Sequence, residues 1–337
     1  MNRRSFSLLL TALAVLAVLA GIGLYGGRQG SRDAGLLQPG LKVQLNDIQR
    51  IVITGKGNDT IATLERGASA WTVAGRHNYP ADVARIRKNL LALAEARIVE
   101  EKTSNPDFYD RLGVQDPASA TASGVQLTLS GGKAPISVIV GQPQPGTPDL
   151  TYVRRAGEAQ SWLVAAQFDL GKTSSEWLDR VVADIPATRI QSVTITQPGL
   201  ETLRITRSVD QQPDGITAFQ VADLPAGRQL SYAGIANGVA AVLADLQLED
   251  VQTREVLGAN PGKPVLARFV TTDGLVVEAS AWRLPDGTRI TFSASGEGAA
   301  EEEAAALNAR LGGWVYTLPV YKTEQLTRRL QELLAPA

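Results

Sequence analysis

Cysteine is absent from the 337-residue chain, and histidine and methionine each occur once. A chain without cysteine forms no disulfide, thiolate nucleophile, iron–sulfur cluster or cysteine-ligated zinc site. One histidine cannot supply a cluster of imidazole ligands within one chain. Neither charge dominates, because 33 Lys and Arg residues are balanced by 34 Asp and Glu residues. We therefore expect no metal, no cofactor and no nucleic-acid partner.

The longest uncharged run lies near the N-terminus. Residues 8–25 carry no charge and follow Arg3 and Arg4. This run is close to the roughly 20 residues that a membrane-spanning helix needs, and its positive flank predicts a cytoplasmic N-terminus. We predict that residues 1–27 form a cytoplasmic stub and a transmembrane anchor, and that residues 28–45 form a linker. The expected location is the bacterial inner membrane, with a single pass and the bulk of the chain in the periplasm.

Other interpretations of this segment stay open. The small residues Val18 and Ala20 also fit a cleaved signal peptide, and Arg3 and Arg4 fit a twin-arginine export signal. The run could also be a buried helix of a soluble domain. The GxGxxG at residues 21–26 is not interpreted as a dinucleotide site, because an apolar helix rather than a strand precedes it.

The rest of the chain repeats one pattern. At 44% apolar and 20% charged residues, it has the composition of a globular protein with about two domains. Four segments of the first half recur in the same order in the second half, and they suggest a tandem repeat of about 140 residues. The matched pairs are 48–54 with 190–196, 70–74 with 218–222, 93–98 with 243–248, and 162–164 with 314–316. We predict repeats at residues 46–186 and 187–335, with a turn-rich insertion at 211–215.

Each repeat is predicted to hold a meander of short strands and one main helix, which indicates an α+β fold with antiparallel sheets. Pro80 and Asp82 suit the start of the first main helix. Its apolar stripe is Val83, Ile86, Leu90 and Leu93, and the second stripe is Ile235, Val239, Val242 and Leu246. A short helix over 106–112 is expected to end at Gly113, and a last helix of the first repeat to hold Trp177, Leu178 and Val181. Two-residue hairpin turns are predicted at Asp273-Gly274 and Asp286-Gly287.

The predicted anchor is followed by a series of short motifs, namely Trp71, Tyr79-Pro80-Ala81-Asp82, Tyr109 with Leu112-Gly113-Val114, Pro117, Val140-Gly141 and Tyr152-Val153-Arg154. This layout resembles the family called DUF4340. The stretch 306–316, with Leu318-Pro319 and Tyr321-Lys322, is similar to the end of proteobacterial members. The resemblance implies placement in the bacterial envelope and an ABC-type transport partner. It implies no catalytic residue.

Five groups of residues resemble functional sites, and we interpret each of them as structural. His77 lies in a polar turn before a helix, and no GxSxG elbow accompanies it. The segment 171–174 resembles the end of a phosphate-binding P-loop, but Ala166 stands where that loop needs glycine. We interpret it as the start of a helix capped by Thr173 or Ser174. The chain therefore has no predicted catalytic, cofactor-binding or metal-binding residue.

The other three groups are acidic, aromatic and basic. Residues 301–303 are consecutive glutamates at the start of a helix over Ala299–Leu311, where negative charge suits the helix dipole. Arg154 and Arg155 alternate along a strand, so they point to opposite faces. The repeat-equivalent tryptophans are expected to pack in the core, namely Trp71, Trp162 and Trp314.

These observations favour a non-enzymatic, membrane-anchored periplasmic binding or scaffold protein that serves an ABC-type transport system or another envelope protein. Two alternatives stay open. One is an envelope hydrolase that uses acidic residues, and the other is a solute- or lipid-binding subunit of a transporter.

The predicted anchor gives a direct test. We expect the full-length chain to stay in the membrane pellet after a carbonate wash, because an apolar spanning helix is not removed by high pH. Immunoblotting of pellet and supernatant measures this. Release of the full-length chain into the supernatant would contradict the anchor.

Overall fold

The computed structural model describes residues 35–68, 70–208 and 218–336. The predicted anchor, residues 28–34 of the predicted linker and the predicted insertion at 211–215 lie outside these ranges. In the part of the chain that is described, no helix is long and apolar enough to span a membrane. The described residues divide into two compact units, 35–75 with 80–177, and 76–79 with 178–336.

The first sheet has nine strands, and its order is β4-β3-β2-β1-β6-β7-β8-β9-β5. The pairings from β3 to β5 along this order are antiparallel. The strands are β1 Arg50–Thr54, β2 Thr60–Arg66, β3 Trp71–Val73, β4 Tyr79–Pro80, β5 Arg97–Glu101, β6 Val125–Ser130, β7 Ile136–Gln144, β8 Thr147–Arg155 and β9 Ser161–Ala165.

The second sheet has eight antiparallel strands in the order β13-β12-β11-β16-β17-β18-β19-β15, and β10 pairs with β14 separately. The strands are β10 Val181–Ala183, β11 Ile190–Thr196, β12 Leu203–Arg207, β13 Phe219–Ala222, β14 Leu246–Gln247, β15 Asp250–Thr253, β16 Val265–Thr271, β17 Val276–Leu284, β18 Gly287–Ser295 and β19 Trp314–Thr317.

Equivalent strands occupy equivalent places in the two sheets. β1 lies between β2 and β6, and β11 lies between β12 and β16. The registers also correspond, because Ile51 faces Leu64 and Leu129, while Val193 faces Ile205 and Phe269. In both sheets the last strand of the order pairs with a strand that follows it later in the chain, β5 with β9 and β15 with β19.

Helices are few and short. The part of the chain that is described holds five α-helices and eight 3-10 helices, so the predicted mixed α+β class with antiparallel sheets is confirmed. The α-helices are α1 Val83–Ala94, α2 Tyr109–Leu112, α3 Ile235–Ala240, α4 Ala299–Leu311 and α5 Val320–Leu326; the 3-10 helices are Leu41–Asp47, Lys56–Asn58, Ala74–Arg76, Pro106–Phe108, Ser174–Trp177, Ala187–Arg189, Arg254–Leu257 and Leu330–Leu333.

Helix α1 begins where the sequence indicated. The Asp82 carboxylate accepts a hydrogen bond from the backbone N–H of Arg85 at 2.9 Å, which satisfies a donor that the helix start would leave unpaired. Ile86, Leu90 and Leu93 of the predicted stripe are buried. Val83 departs from the prediction, because its side chain is 45% exposed.

Two other helix predictions are wrong. The segment around Trp177, Leu178 and Val181 is a 3-10 helix, Ser174–Trp177, followed by strand β10. The β-branched pair at residues 181–182 favours an extended backbone, and β10 gains a partner in β14.

The second main helix, α3, is only six residues long. It therefore excludes two residues of its predicted stripe, Val242 and Leu246, and Leu246 belongs to β14. Gly238 lies inside the helix, where glycine costs about 1 kcal/mol relative to alanine. Asp245 then adopts φ 44°, a backbone conformation at which a right-handed α-helix cannot continue.

The two predicted hairpins form, but their loops differ from the prediction. Thr271 pairs with Leu275 through backbone and side-chain hydrogen bonds, so the first loop spans residues 272–274. Leu284 pairs with Gly287, so the second loop is residues 285–286. Gly287 follows that loop with φ 126°.

Three glycines bring separate strands and turns of the first unit into backbone contact. Gly113 ends α2 with φ 70°, as predicted for a C-terminal cap. A Cβ on Gly124 would lie 1.9 Å from the carbonyl oxygen of Gly113, and one on Gly141 would lie 2.2 Å from that of Leu112. The α2 turn therefore sits against β6 and β7 at distances that only glycine allows.

This close approach predicts the effect of a methyl group. We expect Gly141→Ala to lower the free energy of unfolding by about 1–3 kcal/mol, because the backbone must shift to admit the methyl. Urea unfolding of the full-length protein, followed by tryptophan fluorescence, measures the change.

Gly75→Ala is the matched control, since a Cβ at Gly75 meets nothing within 4 Å. We expect it to change the free energy of unfolding by less than about 0.5 kcal/mol. Equal midpoints for Gly141→Ala and the unsubstituted protein would contradict the packing argument.

Candidate functional site

His77 and residues 171–173 both lie in loops that precede helices, as the sequence indicated. His77 is exposed in a turn and has φ 54°. In the 171–174 segment, the Glu176 carboxylate accepts hydrogen bonds from the backbone N–H groups of Lys172 and Thr173 at 2.9 and 3.1 Å. These are the donors that a bound phosphate would need, and a side chain of the same loop already uses them. The Glu176 carboxylate therefore caps these N–H groups from within the 3-10 helix, a role that the sequence interpretation gave to Thr173 or Ser174.

Two of the three glutamates at 301–303 are exposed to solvent, and the third forms an ion pair. Glu301 and Glu302 are exposed in the first turn of α4, as expected. Glu303 accepts hydrogen bonds from both terminal nitrogens of Arg189 at 2.9 and 2.7 Å. Arg189 also pairs with Asp273 at 2.7 Å. The Thr271 hydroxyl and the Arg189 guanidinium lower the pKa of the Asp273 carboxyl.

The three repeat-equivalent tryptophans are half-buried, so the prediction that they pack in the core holds only in part. Trp314 packs edge-on against Tyr79 with ring centroids 5.0 Å apart. Trp162 lies under the Arg155 guanidinium at 5.9 Å. Trp71 lines a groove that is described below.

Arg154 and Arg155 have different surroundings, as strand alternation predicted. Arg154 is 3% exposed, lies over the Tyr109 ring at 4.6 Å, and donates to the Val114 carbonyl at 2.9 Å. Arg155 is half-buried and donates to the Leu37 carbonyl through Nη2 at 2.6 Å. Both arginines hold loops of the first unit to the sheet.

A groove with a cavity volume of about 500 Å³ lies in the first unit. Its walls are one face of α1, the β2–β3 hairpin and the end of the 3-10 helix Leu41–Asp47. Residues spaced three and four apart on α1 share a face, which is why Val83, Arg87 and Leu91 point to the same side. We call this feature the arginine groove, and we define it by Arg66, Trp71, Val83, Arg87, Leu90 and Leu91.

The charge in the arginine groove has one sign. Arg66 and Arg87 line it, and no described lining residue is acidic. Arg66 donates through Nη1 to the Asn46 carbonyl at 2.6 Å, which fixes its side chain at the hairpin end. Arg87 is exposed and has no ion pair or side-chain hydrogen bond among the described residues. The groove therefore combines apolar walls with unneutralised positive charge.

The second unit carries a different candidate surface. Tyr232, Val320 and Tyr321 are 63%, 72% and 62% exposed, and we call them the tyrosine surface. Tyr232 lines a cavity of about 280 Å³ together with Gln325, which lies one helical turn after Tyr321 on α5. Large apolar side chains that are exposed on a folded protein are typical of contact surfaces.

Lys322 explains why its neighbours on α5 face outward. Its ammonium group is buried and donates to the carbonyl oxygens of Val242 and Ala244 at 2.9 and 2.6 Å. Burial lowers the pKa of this amine. Because Lys322 points inward to satisfy carbonyls after α3, Val320 and Tyr321 are turned to solvent.

Sequence reasoning missed both surfaces. The helical periodicity already placed Arg87 beside Val83, but Val83 was assigned to the core. Arg66 was missed because the β2–β3 hairpin, not sequence proximity, brings it to α1. Helix α5 was not predicted at all, so the outward direction of Tyr321 had no basis in the pattern.

Comparison with known protein families gives a match over much of the chain. A family described as "Domain of unknown function (DUF4340)" matches residues 71–264. The matched segment is more than half of the chain, and it confirms the resemblance stated from the sequence. No curated protein and no solved structure matches the chain.

The Glu176 cap predicts a pH-dependent stability. Hydrogen bonds from the Lys172 backbone, and next the Arg85 charge, lower the pKa of Glu176. The carboxylate therefore stabilises the fold above the ordinary pKa of a glutamate, and this stabilisation is lost as the pH falls through the lowered value. We expect Glu176→Ala to cost about 0.5–2 kcal/mol at pH 6, as loss of a cap does, and less at pH 3.

Urea midpoints at the two pH values measure this difference. Glu101→Ala is the control, because Glu101 is exposed and makes no side-chain hydrogen bond or ion pair with the described residues. A cost for Glu176→Ala that is the same at both pH values would show that the carboxylate charge does not matter.

Proposed function

The chain belongs to the DUF4340 family, and on this premise we propose that it is a non-enzymatic, membrane-anchored periplasmic binding and scaffold protein. Its partner is an ABC-type transport component of the bacterial inner membrane. Residues 8–25 supply the anchor, which holds the body close to any membrane partner. Such confinement raises the effective concentration of that partner without adding a contact.

We also infer that the two units are tandem copies of one α+β fold. The support is the matching strand order of the two sheets, and the matching registers around β1 and β11. A further correspondence is that Arg66 faces Trp71 at the end of β2, as Arg207 faces Phe219 at the end of β12. Arg66 donates to the Asn46 carbonyl before β1, and Arg207 donates to the carbonyls of Thr188, before β11, and of Ile190, the first residue of β11.

The tyrosine surface is the observation that carries the binding role. Exposed tyrosines are amphipathic, since the ring buries apolar area while the hydroxyl keeps a hydrogen-bond partner. They are over-represented among the residues that dominate binding energy at interfaces. The buried Lys322 holds the backbone of α5 to the segment after α3, so Val320 and Tyr321 project from a helix whose position is already set before binding.

The proposal predicts which residues the partner needs. We expect affinity purification of the tagged full-length protein in mild detergent to recover an ABC-type transport component. The double change Val320→Ser and Tyr321→Ser should lower recovery at least tenfold, because one such residue contributes about 2 kcal/mol where it dominates an interface. Quantitative mass spectrometry of the eluates measures recovery.

Leu200→Ser is the matched control, because Leu200 is 51% exposed in the second unit and lies outside the tyrosine surface. We expect this variant to recover the partner normally. If the unsubstituted protein recovers no transport component or other envelope protein, the proposed partner is wrong. If the double variant binds as well as the control, the tyrosine surface is not the interface.

A further inference from the structure

The arginine groove has the chemistry of a site for an anionic amphiphile. Its floor and walls expose the apolar side chains of Trp71, Val83 and Leu91, of which Val83 and Leu91 are 45% and 37% exposed. An apolar chain placed there would remove this surface from water, which contributes about 25 cal/mol for each Å² buried.

The positive charge is placed to receive a small anion. Arg66 uses only Nη1 for the Asn46 carbonyl, so its Nε and Nη2 keep no partner among the described residues. Arg87 lies on the α1 face that lines the same groove, and its whole guanidinium lacks a described partner. A guanidinium binds a carboxylate through two parallel hydrogen bonds, which gives both charge and geometry.

The size of the groove limits the occupant. A cavity volume of about 500 Å³ lies within the range of small-molecule sites. One acyl chain with a small head group suits this volume, whereas a two-chain phospholipid or a partner helix needs a longer surface. The absence of acidic residues among the described lining side chains disfavours a cationic or zwitterionic head group.

We propose that the arginine groove binds a long-chain fatty carboxylate. The acyl chain lies along Trp71, Val83 and Leu91, and the carboxylate is bound by Arg66 and Arg87. This binding is separate from the proposed protein contact, because the tyrosine surface belongs to the second unit.

Photo-crosslinking of the full-length protein tests the site. The protein is placed in phosphatidylcholine nanodiscs and labelled with a diazirine derivative of hexadecanoate, and the modified peptides are identified by mass spectrometry. We expect labels within residues 45–46 and 66–91, the segments that line the groove. Unlabelled hexadecanoate should compete, and hexadecanol, which has the same chain without the charge, should compete at least tenfold more weakly.

Two variants test whether binding needs the positive charge of the arginines and the apolar wall of the groove. One control variant accompanies them. The double change Arg66→Gln and Arg87→Gln should weaken labelling about tenfold, which corresponds to 1.4 kcal/mol. Val83→Glu should abolish labelling by placing a negative charge in the wall. Lys88→Gln is the matched control on α1, because Lys88 does not line the groove. It should label within twofold of the unsubstituted protein.

Several outcomes would overturn the proposal. Labels outside residues 45–46 and 66–91 would place the ligand elsewhere. Equal competition by hexadecanol would show that the arginines do not bind the head group. Displacement of the label by an acidic amphipathic peptide, but not by hexadecanoate, would assign the groove to a protein segment. None of these outcomes depends on the tyrosine surface, so this proposal and the partner proposal can fail separately.

Discussion

One interior strand of each sheet, β1 or β11, is the constraint on which both units depend. β1 is hydrogen-bonded on both sides, and it buries Ile51 and Ile53 while the residues between and beside them stay more exposed. A slip of one residue would turn this apolar set to the opposite face, so the register of β2 and β6 follows from the pattern of β1. β11 repeats the arrangement with Val193 and Ile195, and the same strands gather around it in the same order.

The sequence pattern was sufficient for elements whose signals are local. Alternating apolar residues, glycine turns and the Asp82 cap located most strands and the start of α1 without any tertiary information. Strand β5 carried no such signal, because four of its five residues are exposed and its pairing with β9 joins segments about 65 positions apart in the chain. α3 was overestimated because its apolar period continues beyond Ala240, while the backbone turns at Asp245.

The candidate sites required tertiary information for a similar reason. Arg66 reaches the groove because the β2–β3 hairpin folds back beside α1, and no spacing along the chain encodes that approach. Val83 looked like a core residue by period, yet the groove lies beside it and leaves it exposed. Tyr321 is exposed because Lys322 binds carbonyl oxygens that follow α3, nearly 80 residues earlier in the chain. Periodicity finds the face of a helix, but it does not tell which neighbour covers that face.

The residues that carry the family resemblance mostly hold backbone segments together. Gly113 and Gly141 allow a turn and a strand to touch, and a Cβ at Gly141 would clash at 2.2 Å. Arg154 stacks on Tyr109 and binds the Val114 carbonyl, so three parts of the pattern form one contact. Such a pattern specifies a scaffold and carries no information about what the scaffold binds. Arg66 and Arg87 lie outside it, so the ligand must be argued from the charge and shape of this chain's own groove.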